Sequence, residues 1–181
     1  MCRFVPEKRL HDLMEAYLMV KGEWLKVHGC ECPVKLVLAG DVDFKSEYGH
    51  NLKQKALENG VVLPGFVRGS KQHSLLTNAL CYSLPSSHEG LPIALLEAMS
   101  YGLPVAVSDI PANLEVGLDP ECYHAVADVD ALAKKLESMI NASLECQAST
   151  GAPLRKKYDM GKYDWDRIAK EVSEVYEAVM G

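Results

Sequence analysis

Two glutamates, Glu89 and Glu97, stand eight positions apart in the segment LPSSHEGLPIALLEAMSYGLPVAVSD, residues 84–109. Glu89 lies among loop-forming residues, where a carboxylate can accept hydrogen bonds from the hydroxyl groups of a ligand. Glu97 lies inside an apolar helical run, where a carboxylate without a partner is unfavourable. Accepting hydrogen bonds from two vicinal hydroxyls, as on a ribose, would explain Glu97. A side chain that simply points to solvent is the alternative.

A binding site for an anion is predicted close to Glu89. Pro92 begins a helix, and the backbone N–H groups and dipole of a helix start favour a negative group. Gly90 lets a ligand approach the backbone closely. Arg3 and Lys8 bracket an early turn in RFVPEK, and together they offer a planar fork and a point charge for phosphate oxygens. They would form a diphosphate site if they converge on the helix start, and a solvated surface pair otherwise.

The elements that must position these residues alternate along the chain. Short apolar runs alternate with helical patterns, which predicts an α/β fold with a doubly wound, Rossmann-like parallel sheet. Ligands then bind outside the carboxyl ends of the strands, so the loops after the strands carry the site. A flexible segment is predicted over 141–154 and a C-terminal helix over 163–181. Strands are predicted over 1–5, 34–40, 61–67, 80–86, 103–109 and 121–126. The other helices are predicted over 9–28, 46–59, 70–79, 92–102 and 128–140.

Composition excludes several classes of protein. The net charge of -6 disfavours a nucleic-acid binder, which needs a basic face. No apolar run reaches the roughly 18 residues of a membrane span, and MCRFVPEKRLHD has no apolar signal core, so the sequence favours a cytoplasmic protein. The six cysteines are expected to be reduced thiols. The cluster at 28–32 is a minor candidate for a structural metal, and the DVD triplets at 41–43 and 128–130 lack the context of a metal site.

Several longer motifs carry a family resemblance. They are RFVPEKRLHDLMEAY, with an R-x4-K pattern; LVLAGD; VVLPGFV; the 84–109 segment, with an E-x7-E pattern; and the ending DVDALAKKLESMI followed by YDWDRIAKEVSEVYEAV. With these motifs, nearly the whole chain resembles the C-terminal, donor-binding domain of glycosyltransferase family 4, the retaining enzymes of GT-B architecture.

The resemblance implies roles at matching positions. Arg3 and Lys8 would bind the diphosphate of a nucleotide-sugar, and Glu97 would hold the ribose hydroxyls. Glu89 would hold hydroxyls of the donor sugar and act with both cations in catalysis. The donor, most simply a UDP- or GDP-sugar, is a substrate, and neither a cofactor nor a metal is implied. The remaining positions around the nucleotide-sugar would be Gly40, Gly65, Phe66, Val67, Gly90, Leu91 and Pro92.

The resemblance also implies that residues 1–181 form one domain of a larger enzyme. An N-terminal domain would bind the acceptor, which is a sugar, a lipid or another small molecule. This chain alone would bind donor but turn over little. Residues 1–5 are predicted to pair as a short parallel strand. An apolar face left uncovered could form a homodimer, and the full-length enzyme could contact a membrane peripherally.

Two other functions stay open from the residues alone. A glycosidase uses two carboxylates about 5 to 10 Å apart, and Glu89 with Glu97 could form that pair. A nucleotide-sugar epimerase or a non-catalytic nucleotide-binding module could use the same architecture. His11 and His88 are weak candidates for an acid–base group, because His11 sits at a helix start and His88 in a loop.

Overall fold

The computed structural model describes residues 2–42 and 46–180. Strands and helices alternate along the chain, as the sequence predicts. The strands are β1 (Cys2–Arg3), β2 (Val37–Asp41), β3 (Val62–Gly65), β4 (Tyr82–Leu84), β5 (Val105–Ser108) and β6 (Tyr123–His124). The helices are α1 (Leu10–His28), α2 (Glu47–Glu58), α3 (Ser70–Asn78), α4 (Ile93–Ser100), α5 (Pro111–Leu114), α6 (Val129–Thr150) and α7 (Trp165–Met180).

The strands form two parallel sheets of three strands, in the orders β1-β2-β3 and β4-β5-β6. A single doubly wound sheet would place β1 next to β4. Among the described residues, β1 pairs with β2 at Cys2↔Gly40 and Arg3↔Asp41 alone, and these two residues do not join the two sheets. The predicted short strand is confirmed at these two residues, while Met1 lies outside the described part of the chain.

The buried apolar residues form two clusters, and the first of them also includes Ala106 of β5. Phe4, directly after β1, is 1% exposed and packs with buried residues of α1, α2 and α6. Leu95 of α4 and Val107 of β5 are fully buried in a second cluster beside β4. Because Phe4 is buried in this first cluster, it holds the start of the turn that follows β1 in place.

Capping residues set several helix ends. The Ser46 hydroxyl accepts a hydrogen bond from the N–H group of Gly49 at 3.0 Å at the start of α2. Asp128 Oδ1 accepts from the N–H group of Ala131 at 2.8 Å and begins α6, as the acidic cap in the sequence predicts. Helix α1 ends where Gly29 adopts a left-handed conformation, with φ 66°.

Two segments differ from the sequence prediction. The segment 141–154 was predicted to be flexible, but α6 continues to Thr150. Its small residues allow close packing, and the buried Ser143 hydroxyl donates to the carbonyl of Leu80 at 3.1 Å. The C-terminal helix was predicted over 163–181. A short 3-10 turn at Gly161–Tyr163 precedes α7, which therefore begins at Trp165, while Gly181 lies outside the described residues.

No helix in the described residues is long and apolar enough to cross a bilayer. Within the same residues, no three His, Cys, Asp or Glu side chains come together in a group that could hold a metal ion. All six cysteines are free. Asp43, the last residue of the first DVD triplet, is not among the described residues.

Candidate functional site

The turn after β1 positions Lys8. Val5 is extended, Pro6 begins a single 3-10 turn over Pro6–Lys8, and the N–H group of Lys8 donates to the Val5 carbonyl at 3.1 Å. Arg9 then adopts a left-handed conformation, with φ 46°, before α1 begins. The Arg9 guanidinium donates to the buried carboxylate of Asp12 at 2.6 Å. This ion pair ties the end of the turn to the first turn of α1.

Lys8 and Glu89 form an ion pair across 81 positions of sequence. The Lys8 Nζ atom lies 2.7 Å from both carboxylate oxygens of Glu89. The Glu89 side chain is only 10% exposed and that of Lys8 is 24% exposed. A phosphate that binds Lys8 must therefore compete with the Glu89 carboxylate for the ammonium group.

A series of hydrogen bonds among buried residues holds the Glu89 carboxylate in place. The Ser86 hydroxyl donates to Glu89 Oε1 at 2.7 Å, and the Ser108 hydroxyl donates to the Ser86 carbonyl at 2.5 Å. The Asn113 side-chain amide donates to the Ser108 carbonyl and hydroxyl at 3.0 and 3.1 Å. The sequence interpretation missed these three residues. The unusual polar Asn113 within an apolar surrounding was the available signal.

The start of α4 offers fewer free N–H groups than the sequence suggests. The N–H groups of Ile93 and Leu95 donate to the carbonyls of Leu91 and Pro92, at 2.8 and 2.9 Å. Among the described residues, nothing accepts a hydrogen bond from the N–H groups of Gly90 and Leu91. These turn bonds use the amides of Ile93 and Leu95, so the donors left for an anion among the described residues are those of Gly90 and Leu91 in the loop and Ala94 at the start of α4.

Four predicted site residues line one cavity of about 230 Å³ at the carboxyl ends of the strands. Lys8 lies on one side and Glu89, Leu91 and Pro92 lie on the other. The cavity is completed by Cys2 and by residues of β4. The structure thus brings a cation, a carboxylate and a helix start to one place, which could hold an anionic group beside hydroxyl groups.

Glu97 lines a second, neighbouring cavity of about 690 Å³. The Gln72 side-chain amide of α3 donates to Glu97 Oε2 at 2.9 Å. Val67, which is 4% exposed, lines the same cavity. Tyr82 and Ser83 of β4 border both cavities, so the two are adjacent. Gln72 is a further residue that sequence reasoning missed, because a glutamine on an exposed helix gives no distinctive pattern.

The other predicted site residues line neither cavity within the described part of the chain. Arg3 is exposed at the end of β1, and Phe66 is 59% exposed after β3. Gly65 has φ 72° and Gly90 faces open space. Gly40 of β2 has φ 153°, and a Cβ atom there would lie 1.9 Å from the Cys2 carbonyl oxygen, so only glycine permits β1 to pair here.

The candidate histidines have other surroundings. His11 Nδ1 lies 2.8 Å from the Tyr48 hydroxyl, and its Nε2 lies 3.0 Å from Asp12. His88 is exposed in its loop. The two glutamates line different cavities, and each carboxylate already has its own partner. This arrangement does not favour the pair of opposed carboxylates that a glycosidase needs.

Comparisons with known proteins identify the family of this chain. A family model described as glycosyl transferases group 1 matches residues 1–157. An uncharacterized glycosyltransferase of Methanocaldococcus jannaschii is 31% identical over 151 residues, which cover 81% of this chain and 37% of that protein. The chain therefore spans well under two thirds of this relative's length.

Solved structures show the same fold. The catalytic domain of cholesterol-alpha-glucosyltransferase from Helicobacter pylori matches with a TM-score of 0.64 at 22% identity, covering 82% of this chain and 87% of that chain. Anabaena HepE in complex with UDP matches with a TM-score of 0.63 at 23% identity, covering 84% and 40%. The family match over 1–157 shows that this chain belongs to the glycosyl transferases group 1, with the Rossmann-like fold of a GT-B glycosyltransferase domain.

Proposed function

We propose that this chain is the donor-binding half of a retaining glycosyltransferase that uses a nucleotide-sugar, a UDP- or GDP-sugar, as its donor. The single observation that carries the proposal is the cavity in which Lys8, Glu89 and the start of α4 meet. The UDP complex of HepE, a protein of the same fold, supports a nucleotide as ligand.

The binding roles follow from charge and position. Lys8 takes the diphosphate inside the cavity, and Arg3, exposed outside it next to the lining residue Cys2, adds a second cation. Ammonium and guanidinium groups form charge-assisted hydrogen bonds with phosphate oxygens. Glu89, released from Lys8, accepts hydrogen bonds from hydroxyls of the donor sugar, assisted by backbone groups of Gly90, Leu91 and Pro92. Glu97, held by Gln72 in the adjacent cavity, accepts from the ribose hydroxyls. Gly40, Gly65, Phe66 and Val67 border the nucleotide and its base.

The transfer step breaks the bond between the sugar C1 and the diphosphate oxygen, and the bonding electron pair stays on that oxygen. Lys8, Arg3 and the α4 start stabilise this developing charge, which is often the largest contribution to catalysis. Because these groups supply the positive charge, the proposal needs no divalent metal. The acceptor oxygen attacks C1 from the leaving-group face, so the anomeric configuration is retained.

The acceptor half lies outside this chain in the proposal. A second domain binds the acceptor sugar, lipid or other small molecule and supplies the group that takes the acceptor proton. The isolated chain then binds donor and turns over little. We place the whole enzyme in the cytoplasm, with peripheral membrane contact when the acceptor is a lipid.

A thermal-shift panel of UDP, GDP, ADP and their sugars tests the donor assignment. A ligand that binds only the folded state at about 100 times its Kd stabilises that state by about 2.7 kcal/mol. We expect one nucleoside diphosphate to raise the melting temperature well above the others. If none of the nucleotides shifts it, the chain is not a nucleotide-sugar domain.

Two variants with matched controls test the residues. Lys8→Ala should lower the affinity for the best nucleotide at least tenfold. The control Lys156→Ala also removes a lysine–glutamate ion pair, with Glu121 at 2.8 Å, and should leave that affinity unchanged. Glu97→Gln should weaken the binding of nucleosides. Its control is Glu58→Gln, since Glu58 accepts from a glutamine at 2.9 Å on α2. Equal affinities across all four variants would refute the residue assignments.

A further inference from the structure

Two side-chain hydrogen bonds connect the first turn of α3 to α4. The Gln72 amide donates to Glu97 Oε2 at 2.9 Å. At the next position of α3, His73 Nδ1 lies 2.9 Å from the Tyr101 hydroxyl, and the centroids of the two rings are 5.5 Å apart. Both members of the first pair line the cavity of about 690 Å³, while the second pair is exposed. The same two helices therefore carry one contact at the candidate site and one on the outer surface.

Gln72 holds the Glu97 carboxylate. In the part of the chain that the structure describes, it is the one hydrogen-bond partner of that carboxylate. The Ser100 hydroxyl, one turn further along α4, donates to the backbone carbonyl of Glu97 instead. The Tyr101 hydroxyl is already bonded to His73. Without the Gln72 amide, the Glu97 side chain would be free to adopt other rotamers.

The contact leaves two oxygen atoms available to a ligand. Glu97 Oε1 and Gln72 Oε1 each have no hydrogen-bond donor among the described residues. Both side chains are partly buried and border the cavity, so a bound ligand can reach them. An ionised carboxylate and an amide carbonyl are both acceptors. Two neighbouring acceptors match the two O–H donors of a vicinal diol.

We propose that Gln72 is a specificity-determining residue that makes this cavity select ribose over deoxyribose. It positions the Glu97 carboxylate for one ribose hydroxyl, and its own carbonyl oxygen accepts from the other. This inference rests on the proposed role of Glu97 in the donor site. A site built to hydrogen-bond a substrate hydroxyl rejects an analogue that lacks it, because its polar groups are then left unpaired.

A contact that only joined the helices would behave differently. Its loss would loosen the packing of α3 against α4 and lower the affinity for every nucleotide by the same factor. The contact between His73 and Tyr101 joins the same helices without touching Glu97. Tyr101→Phe, which removes that hydrogen bond and keeps the ring, is therefore the matched control.

The test is calorimetric titration with UDP, GDP and ADP and with analogues of each that lack both ribose hydroxyls. The wild-type chain should bind the ribose form of its preferred nucleotide at least about tenfold more tightly than the dideoxyribose form. Gln72→Leu and the isosteric Gln72→Met should lose most of this ratio, because they bind the ribose form more weakly and the dideoxyribose form as tightly as wild type. Tyr101→Phe should keep the ratio.

The outcomes separate this inference from the proposed function. A wild-type chain that binds neither form, or binds both equally, would overturn the ribose role of Glu97 and this inference together. A ratio that Glu97→Gln abolishes but both Gln72 variants keep would overturn this inference alone. Equal losses of affinity for the two forms in the Gln72 variants would also overturn it, since the contact would then only join the helices.

Discussion

Replacing Gly40 by Ala should destabilise the domain through one atom. The new Cβ would lie 1.9 Å from the Cys2 carbonyl oxygen and 3.1 Å from the Phe4 ring, at a φ of 153° that side chains rarely adopt. Backbone strain of this kind costs about 1–3 kcal/mol. Moving β1 away also breaks the pairing of Cys2 and the hydrogen bond from Phe4 to the Asp41 carbonyl, 2.9 Å, at about 1 kcal/mol each. We expect a total loss of about 3–5 kcal/mol.

Urea unfolding measures this loss, and Gly60→Ala is the matched control. Gly60 also has a left-handed φ of 71°, but a Cβ there meets nothing within 4 Å. Its replacement should cost only about 1–2 kcal/mol of conformational energy. Because β1 leads to Lys8, Gly40→Ala should also weaken the binding of the preferred nucleotide, whereas Gly60→Ala should leave it unchanged. Equal losses of unfolding free energy in the two variants would refute the steric reasoning.

Three further predictions concern buried polar groups. Desolvation lowers the pKa of His124, so below its unfolded value of about 6.5 the unfolded state binds a proton that the folded state does not. The free energy of unfolding should therefore decrease as the pH is lowered below about 6.5. In His124→Asn, the midpoints of urea unfolding should change less over that pH range. Asn113→Ala leaves Ser108 without its amide donor and should lower the free energy of unfolding by about 1–3 kcal/mol. If Asn113 positions Glu89, the variant should lose more affinity for the nucleotide-sugar than for the bare nucleotide; an equal loss for both ligands would contradict this role. A thiol reagent at pH 8 should modify the exposed Cys30 and leave Cys81 unreacted, because burial raises the pKa of Cys81 to about 12.

Much of the fold could be predicted because the signals were local. Apolar runs of strand length alternated with helical periodicity, and Asp128 marked the start of α6 with a side-chain cap. The pairing of Lys8 with the cavity of Glu89 followed from a topological rule, since the loops after parallel strands meet at one edge of a sheet. The E-x7-E spacing indicated the two carboxylates but not their separate cavities.

The rest depended on long-range contacts that a pattern does not contain. The ion pair between Lys8 and Glu89 requires the turn after β1 and the loop after β4 to be placed in three dimensions. Asn113, Ser108 and Ser86 act through hydrogen bonds across different elements. The split of the sheet also escaped prediction, because it depends on whether two residues of β1 can reach β4. Helix propensity after residue 140 was underestimated, since small polar residues there are helical once packed.

The central claim is that the cavity between the turn of Lys8 and the start of α4 receives the diphosphate of a nucleotide-sugar. A crystal structure of the chain with the nucleotide selected by thermal shift tests it most directly. We predict phosphate oxygens within hydrogen-bond distance of Lys8 Nζ, the Glu89 carboxylate turned from that ammonium group toward the sugar, and the ribose hydroxyls hydrogen-bonded to Glu97. A nucleotide whose diphosphate contacts neither Lys8 nor the α4 loop would contradict it.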